Sequence, residues 1–160
     1  MIQLQLADSD ATEALGRRLA VTRPAQAVLH LQGDLGAGKS TLARALLREL
    51  GVQGAIRSPT YTLVERYPIP GGEAWHLDLY RIGDVSELEF LGLDDASATL
   101  WLVEWPEKAS QALPVADIRL QLAHDAHGRI VQLQAGSPAG QGWLAELGSL
   151  PSLQDLSLQS

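Results

Sequence analysis

Gly33-x-x-x-x-Gly38-Lys39-Ser40 has the spacing of a loop that can wrap a phosphate chain. In the stretch GDLGAGKST the glycines admit backbone conformations that a Cβ would obstruct, so successive N–H groups can point inward at phosphate oxygens. The lysine can reach the β- and γ-phosphates and the serine hydroxyl can ligate Mg²⁺. A helix beginning within the loop adds favourable partial charge. The candidate phosphate-binding residues are therefore Gly33, Asp34, Leu35, Gly36, Ala37, Gly38, Lys39, Ser40 and Thr41, with Lys39 also a catalytic candidate. The alternative is a glycine-rich strand–helix turn that holds nothing.

Such a loop needs a carboxylate to support the metal, usually at the end of an apolar strand. In TLWLVEW, Glu104 follows Leu100 to Val103 and stands where that strand should end. Position favours it, with Ser40, as a Mg²⁺ ligand or a partner of the metal's water shell; a glutamate there could instead polarise an attacking water. In AWHLDLY, Asp78 alternates with Trp75, Leu77 and Leu79, so it shares a face with His76 and Tyr80. Either carboxylate could also be an ordinary surface or ion-paired group. The chain contains no asparagine, so the Asn-Lys-x-Asp element of guanine-specific GTPases is absent and ATP is the expected nucleotide. Arg57, Arg66 and Arg81 could clamp a phosphate acceptor, but no arginine-rich lid segment accompanies them.

The elements that must hold these residues are legible as patterns. IQLQL alternates as a half-buried strand does, and the segment after it reads as a helix that Asp10 could cap, with Glu13 three residues later. AVLHLQ reads as a buried strand leading into the loop. KSTLARALLREL reads as a helix with Leu42, Ala45, Leu46 and Leu50 on one face, and Gly51 suits its C-terminus. Two strands flank PIPGG, SELEFLGL reads as a short acidic helix, and a second hairpin turns at AHG. Helices alternate with strands early and hairpins follow. The expectation is an α/β fold: a P-loop NTPase-like mixed sheet flanked by helices, with antiparallel hairpins. Residues 1–135 read as the ATPase domain, and 136–160 as a tail, helical around WLAEL and then frayed.

With 160 residues, 46% of them hydrophobic, the chain has the profile of one globular domain. No apolar run reaches membrane-spanning length, the start lacks the pattern of a signal peptide, and cysteine is absent, which together suggest a cytoplasmic protein. The net charge is −7, with only two lysines and ten scattered arginines, so a direct grip on nucleic acid is not expected. His124 and His127 are spaced for a metal, but a pair beside a hairpin turn reads as incidental.

The blocks GDLGAGKST, SPTYTLVE, HLDLYR, ELEFLGL and LVEWPE, in that order, resemble the TsaE (YjeE) family of small bacterial ATPases. That family acts in making the threonylcarbamoyl modification of the adenosine beside the anticodon of tRNA. The resemblance runs from about Val28 to Glu107 and is weaker on either side. It implies Lys39 on phosphate, Ser40 and Glu104 on Mg²⁺, and Asp78 in the active site. It makes SPTYTLVE a switch-like segment in which Thr60 and Thr62 sense the γ-phosphate, unless they are ordinary turn and strand threonines. Trp105 stands beside the metal block or is plain core. Thr12 and Arg129 are implied near the nucleotide base. Ser40 replaces the commoner threonine and keeps the hydroxyl.

The resemblance further implies TsaB and TsaD as partners, tRNA only at second hand, and ATP hydrolysis that resets or regulates the complex; with no evident arginine finger in the sequence, turnover is expected to be slow alone and stimulated by partners. Asp84, Glu87, Glu89, Asp94 and Asp95 form a solvated acidic face or meet a basic partner surface. Two other uses of a nucleotide site remain open: a small-molecule kinase, and a nucleotide-gated binding module with negligible hydrolysis.

Overall fold

The computed structural model describes residues 1–91 and 98–150. Seven strands form one sheet in the order β1-β7-β6-β2-β5-β4-β3. The strands are β1 (Ile2–Leu6), β2 (Ala27–Gly33), β3 (Val64–Ile69), β4 (Gly72–Asp78), β5 (Ala98–Glu104), β6 (Ile118–Asp125) and β7 (Gly128–Ala135). The middle is parallel: β6, β2, β5 and β4 all run the same way. The edges are antiparallel, with β3 folded back on β4 and with β7 and β1 added beyond β6. This is the expected mixed sheet with two hairpins, and the parallel centre is where a crossover loop can reach across strand ends.

Helices α1 (Ser9–Thr22), α2 (Lys39–Glu49) and α3 (Pro138–Ser149) bury their apolar sides in one cluster. Leu15 and Leu19 of α1, Leu42 and Leu46 of α2, and Trp143 and Leu147 of α3 meet Leu29, Leu31, Leu102 and Leu120 of the sheet there. The opposite face has a smaller cluster, in which Trp75, Leu77 and Val103 are covered by Leu88, Ala109 and Leu113 from 3₁₀ segments and the loop after them. The flanking is therefore uneven: α-helices on one side, 3₁₀ turns on the other.

Two local details position the site. Helix α1 starts two residues earlier than a cap at Asp10 would place it. Asp8 is the N-cap, extended at φ −156°, and its Oδ1 accepts from the Ala11 N–H at 2.9 Å; Asp10 lies inside the first turn. At the crossing of α1 and α2, a Cβ on Gly16 would stand 2.5 Å from the Leu42 carbonyl oxygen, so only glycine allows the two helix backbones to meet there.

The short acidic segment Val85–Leu91 is a 3₁₀ helix in which Glu87 accepts from the Gly83 N–H at 2.9 Å and Asp84 from the Ser86 N–H at 3.1 Å. These carboxylates serve their own exposed turn, and Asp94 and Asp95 lie outside the described residues.

The helix expected around WLAEL is α3, started by Ser137, whose hydroxyl accepts from the Gly140 N–H at 3.0 Å. Its Trp143 is almost fully buried, and the indole N–H donates to the Leu19 carbonyl and the Thr22 hydroxyl. The segment expected to fray lies outside the described residues. Trp143→Ala should destabilise the protein by about 3–5 kcal/mol in equilibrium denaturation, because it opens a core cavity and strips two partners. A loss below about 1 kcal/mol would mean that α3 is peripheral to the fold.

Candidate functional site

The loop between β2 and α2 is shaped by glycines with positive φ: Gly33 at 146°, Gly36 at 79° and Gly38 at 113°. At Gly33 a Cβ would also stand 2.4 Å from the Leu122 carbonyl oxygen. The loop is closed by the Ala37 N–H on the Asp34 carbonyl at 3.1 Å. Gly38 is the N-cap of α2 and offers no capping side chain, so the first N–H groups of this 11-residue helix remain available to an anion.

Lys39 opens that helix yet is only 5% exposed. Its ammonium folds back to donate to the Gly33 and Asp34 carbonyls and lies 4.1 Å from the centroid of the Trp105 ring. Burial pushes its pKa below the ordinary lysine value, and the carboxylates of Glu104 and Asp78 oppose that shift.

Strand register supplies the carboxylates. Glu104 on β5 is level with Leu31 on β2 and with Asp78 on β4, so both acids arrive side by side at the strand ends below the loop. Glu104 is 2% exposed. The Ser40 hydroxyl lies 3.2 Å and 3.3 Å from its two oxygens, and the His76 Nε2 lies 2.6 Å from Oε2. Asp78 accepts from the Thr60 hydroxyl at 3.2 Å and from the Tyr80 N–H at 3.0 Å.

Beyond Glu104 the chain turns through Trp105 at φ 58°, a left-handed conformation that costs a non-glycine residue energy and that clusters at functional sites. The Leu31 carbonyl holds the Trp105 N–H. Trp105 packs against the smaller core and also faces Lys39, so the core reading and the site reading of this residue meet in one side chain.

Lys39, Ser40, Thr60, Asp78, Glu104 and Trp105 line one cleft of about 210 Å³. A second cleft of about 230 Å³ lies on the other side of the loop and shares Gly36, Gly38 and Thr41 with the first. Thr12 and Arg129 line it. Arg129 donates to the Ala37 and Gly36 carbonyls, so it braces the loop as well as bounding the cleft.

Of the residues singled out in the sequence, Thr62 is not brought to either cleft: it is exposed and donates to Glu65 at 3.1 Å. Asp34 and Leu35 are exposed on the loop, and Gly33 contributes its carbonyl to Lys39. Arg66 lies over the Trp75 ring and Arg81 over the Tyr61 ring, and neither lines the Lys39 cleft. His124 and His127 are exposed at the β6–β7 turn. Sequence reasoning gave no role to His76, although its alternation with Asp78 put it on the same face.

A hydroxyl, a carboxylate and a lysine beneath uncapped helix N–H groups can together hold a phosphate chain and one hard cation. Among the described residues no group of three or more His, Cys, Asp or Glu is gathered for a metal. Magnesium does not need one, because it is typically held by one or two protein groups, with phosphates and water completing the shell.

The family model described as threonylcarbamoyl adenosine biosynthesis protein TsaE matches residues 6–131. The chain belongs to the TsaE family. The TsaE match encloses both clefts and every residue placed in them. A Haemophilus influenzae protein named tRNA threonylcarbamoyladenosine biosynthesis protein TsaE is 46% identical over 116 residues, covering 71% of this chain and 73% of that one. A Synechocystis protein of the same name is 41% identical over 112 residues, covering 66% and 71%. A crystal structure of Bacillus subtilis YdiB superposes with a TM-score of 0.77 over 97% of this chain and 98% of that one; at 24% identity it shows the shared fold. TsaE membership ties the chain to threonylcarbamoyladenosine modification of tRNA.

The buried Lys39 gives a stability prediction. Its folded-state pKa lies below its unfolded one, so at neutral pH the folded state carries the full cost of burying the ammonium, and that cost disappears only above the ordinary lysine pKa. Lys39→Met should raise the melting temperature of the nucleotide-free protein at pH 7 by roughly 2–4 °C, as about 1 kcal/mol would in a domain of this size. Scanning calorimetry at pH 7 checks this, and a lowered midpoint would contradict it.

Proposed function

We propose that the chain is a Mg²⁺-dependent ATPase that serves the tRNA threonylcarbamoyladenosine machinery by resetting its transfer complex. The observation that carries this reading is the convergence of Lys39, Ser40, Glu104 and Asp78 at the mouth of the glycine loop. Family membership supplies the pathway. The absence of asparagine favours ATP over GTP. The cleft beside Thr12 and Arg129 is where the adenosine moiety would lie, with the triphosphate crossing the loop toward Lys39.

The residues present fit the metal: a hydroxyl and a carboxylate oxygen are hard donors, and their 3.2 Å approach puts them within reach of one ion. Ser40 and Glu104 would hold it, and when bound it would neutralise charge on the β- and γ-phosphates. The loop N–H groups cradle the phosphates. Lys39 leaves the Gly33 and Asp34 carbonyls for the phosphate oxygens, where charge develops in the transition state. Asp78 accepts a hydrogen bond from the attacking water and orients it toward the γ-phosphorus, while the Thr60 hydroxyl steadies Asp78. The new bond joins the water oxygen to phosphorus, the bond to the β-phosphate oxygen breaks, and ADP, inorganic phosphate and a proton leave.

Among the described residues no arginine lines the cleft around Lys39, so turnover is slow alone and rises when a partner supplies the missing cation. TsaB and TsaD are the partners. A net charge of −7 leaves the tRNA contact to them. Among the described residues no helix is long and apolar enough to cross a membrane, and the proposed site of action is the cytoplasm. The outward stacking of Arg66 and Arg81 speaks against a metabolite kinase.

ADP release should be slow for the protein alone, rise at least about tenfold with purified TsaB and TsaD, and be unaffected by a panel of hydroxylated metabolites. Stoichiometric phosphorylation of a metabolite would replace the reading with a kinase. ATP-dependent partner binding without ADP release would replace it with a nucleotide-gated module. Lys39→Ala should remove turnover and weaken nucleotide binding while circular dichroism remains that of the folded protein.

A further inference from the structure

We propose that His76 is a positioning residue for the metal site: it fixes the Glu104 carboxylate so that Oε1, rather than Oε2, is presented with the Ser40 hydroxyl to a divalent cation. This rests on the metal–nucleotide reading of the cleft and names a residue that the loop pattern does not contain.

The two oxygens of Glu104 are not distinguished by Ser40, whose hydroxyl is 3.2 Å from one and 3.3 Å from the other. His76 breaks that symmetry. Its Nε2 contacts Oε2 alone, at 2.6 Å, with both side chains 3% exposed. A carboxylate that ligates a cation is ionised and only accepts, so in the role proposed Nε2 carries the hydrogen of this bond. The other ring nitrogen, Nδ1, is buried and has no partner among the described residues. The polar contact that orients the ring is therefore the one to Glu104.

Register explains the reach. His76 is level with Leu102 on β5, two residues before Glu104 on the same face, so the imidazole leans along the strand to the carboxylate from below. Asp78, directly across from Glu104, is occupied by the Thr60 hydroxyl and the Tyr80 N–H and does not take this role. A buried carboxylate free to rotate would offer the cation either oxygen or neither. Groups that orient a metal ligand from behind are typically worth about 10–100-fold in metal affinity.

The test compares wild type, His76→Leu and His76→Gln. The glutamine amide nitrogen can occupy the place of Nε2, whereas leucine fills the volume without a donor. ADP affinity is measured by calorimetry with Mg²⁺ and with EDTA, and melting temperature is recorded alongside. His76→Leu should cut the Mg²⁺-dependent gain in ADP affinity by about tenfold or more, leave affinity in EDTA within about twofold of wild type, and His76→Gln should recover most of the gain. A wild-type metal gain in His76→Leu overturns the proposal. So does a parallel loss of affinity in EDTA, which marks a structural role, or a His76→Gln no better than leucine. Should the leucine variant not fold, His76→Asn replaces it, since its shorter amide stops short of Glu104. A wild-type protein that gains nothing from Mg²⁺ overturns the metal–nucleotide reading as well, whereas failure of the variants alone leaves that reading standing.

Discussion

The pairing of β5 between β2 and β4, in the register that sets Glu104 level with Asp78 and Leu31, is the constraint from which the site follows. Parallel pairing brings three strand ends to one edge of the sheet, and the loop after β2 then lies over acids from the other two. The resulting cluster is costly. Lys39, Asp78 and Glu104 are each less than a tenth exposed, and buried charge is tolerated only with partners close by. Each has them: carbonyls and an indole face for Lys39, a hydroxyl and an imidazole for Glu104, a hydroxyl and a backbone N–H for Asp78.

The rest of the molecule holds that edge in place. The larger core fastens the helices to the side of the sheet from which α2 delivers Lys39 and Ser40. The smaller core supports the reverse side, where Trp75, Leu77 and Val103 back the strands that carry His76, Asp78 and Glu104. The strained turn at Trp105 lies where this support meets the charged cluster, and its ring serves both. A left-handed tryptophan persists there because neighbouring strands hold the peptides around it: the Leu31 carbonyl on one side, and the Leu79 N–H, which donates to the Glu104 carbonyl, on the other.

Local patterns carried much of this. The loop spacing, the strand before it and the helix after it are short-range features, and a glutamate at the end of an apolar run is visible without a fold. Alternation placed Asp78 on a face with His76, and both are buried on that face. What alternation cannot express is which strand lies beside which. Only the β4–β5 register makes His76 a neighbour of Glu104 from 28 residues away in the chain. Thr62 shows the converse limit. It is two residues from Thr60 in a segment of the right composition, yet its hydroxyl turns to Glu65. The start of α1 is hidden for a smaller reason: Asp8 and Asp10 are both able caps, and the extended backbone that decides between them is not encoded by residue type.

The glycine contact between α1 and α2 has a mechanical consequence. Thr12, on α1, bounds the cleft on one side of the loop; Lys39 and Ser40, on α2, bound the cleft on the other. With Gly16 letting the two helices touch backbone to backbone, the walls of the two clefts are joined through one helix crossing. Thr60 belongs to no helix, and its hydroxyl is tied to Asp78 and Ser58. A molecule spanning both clefts would touch walls joined at one helix crossing and, at one end, a threonine carried by a separate segment.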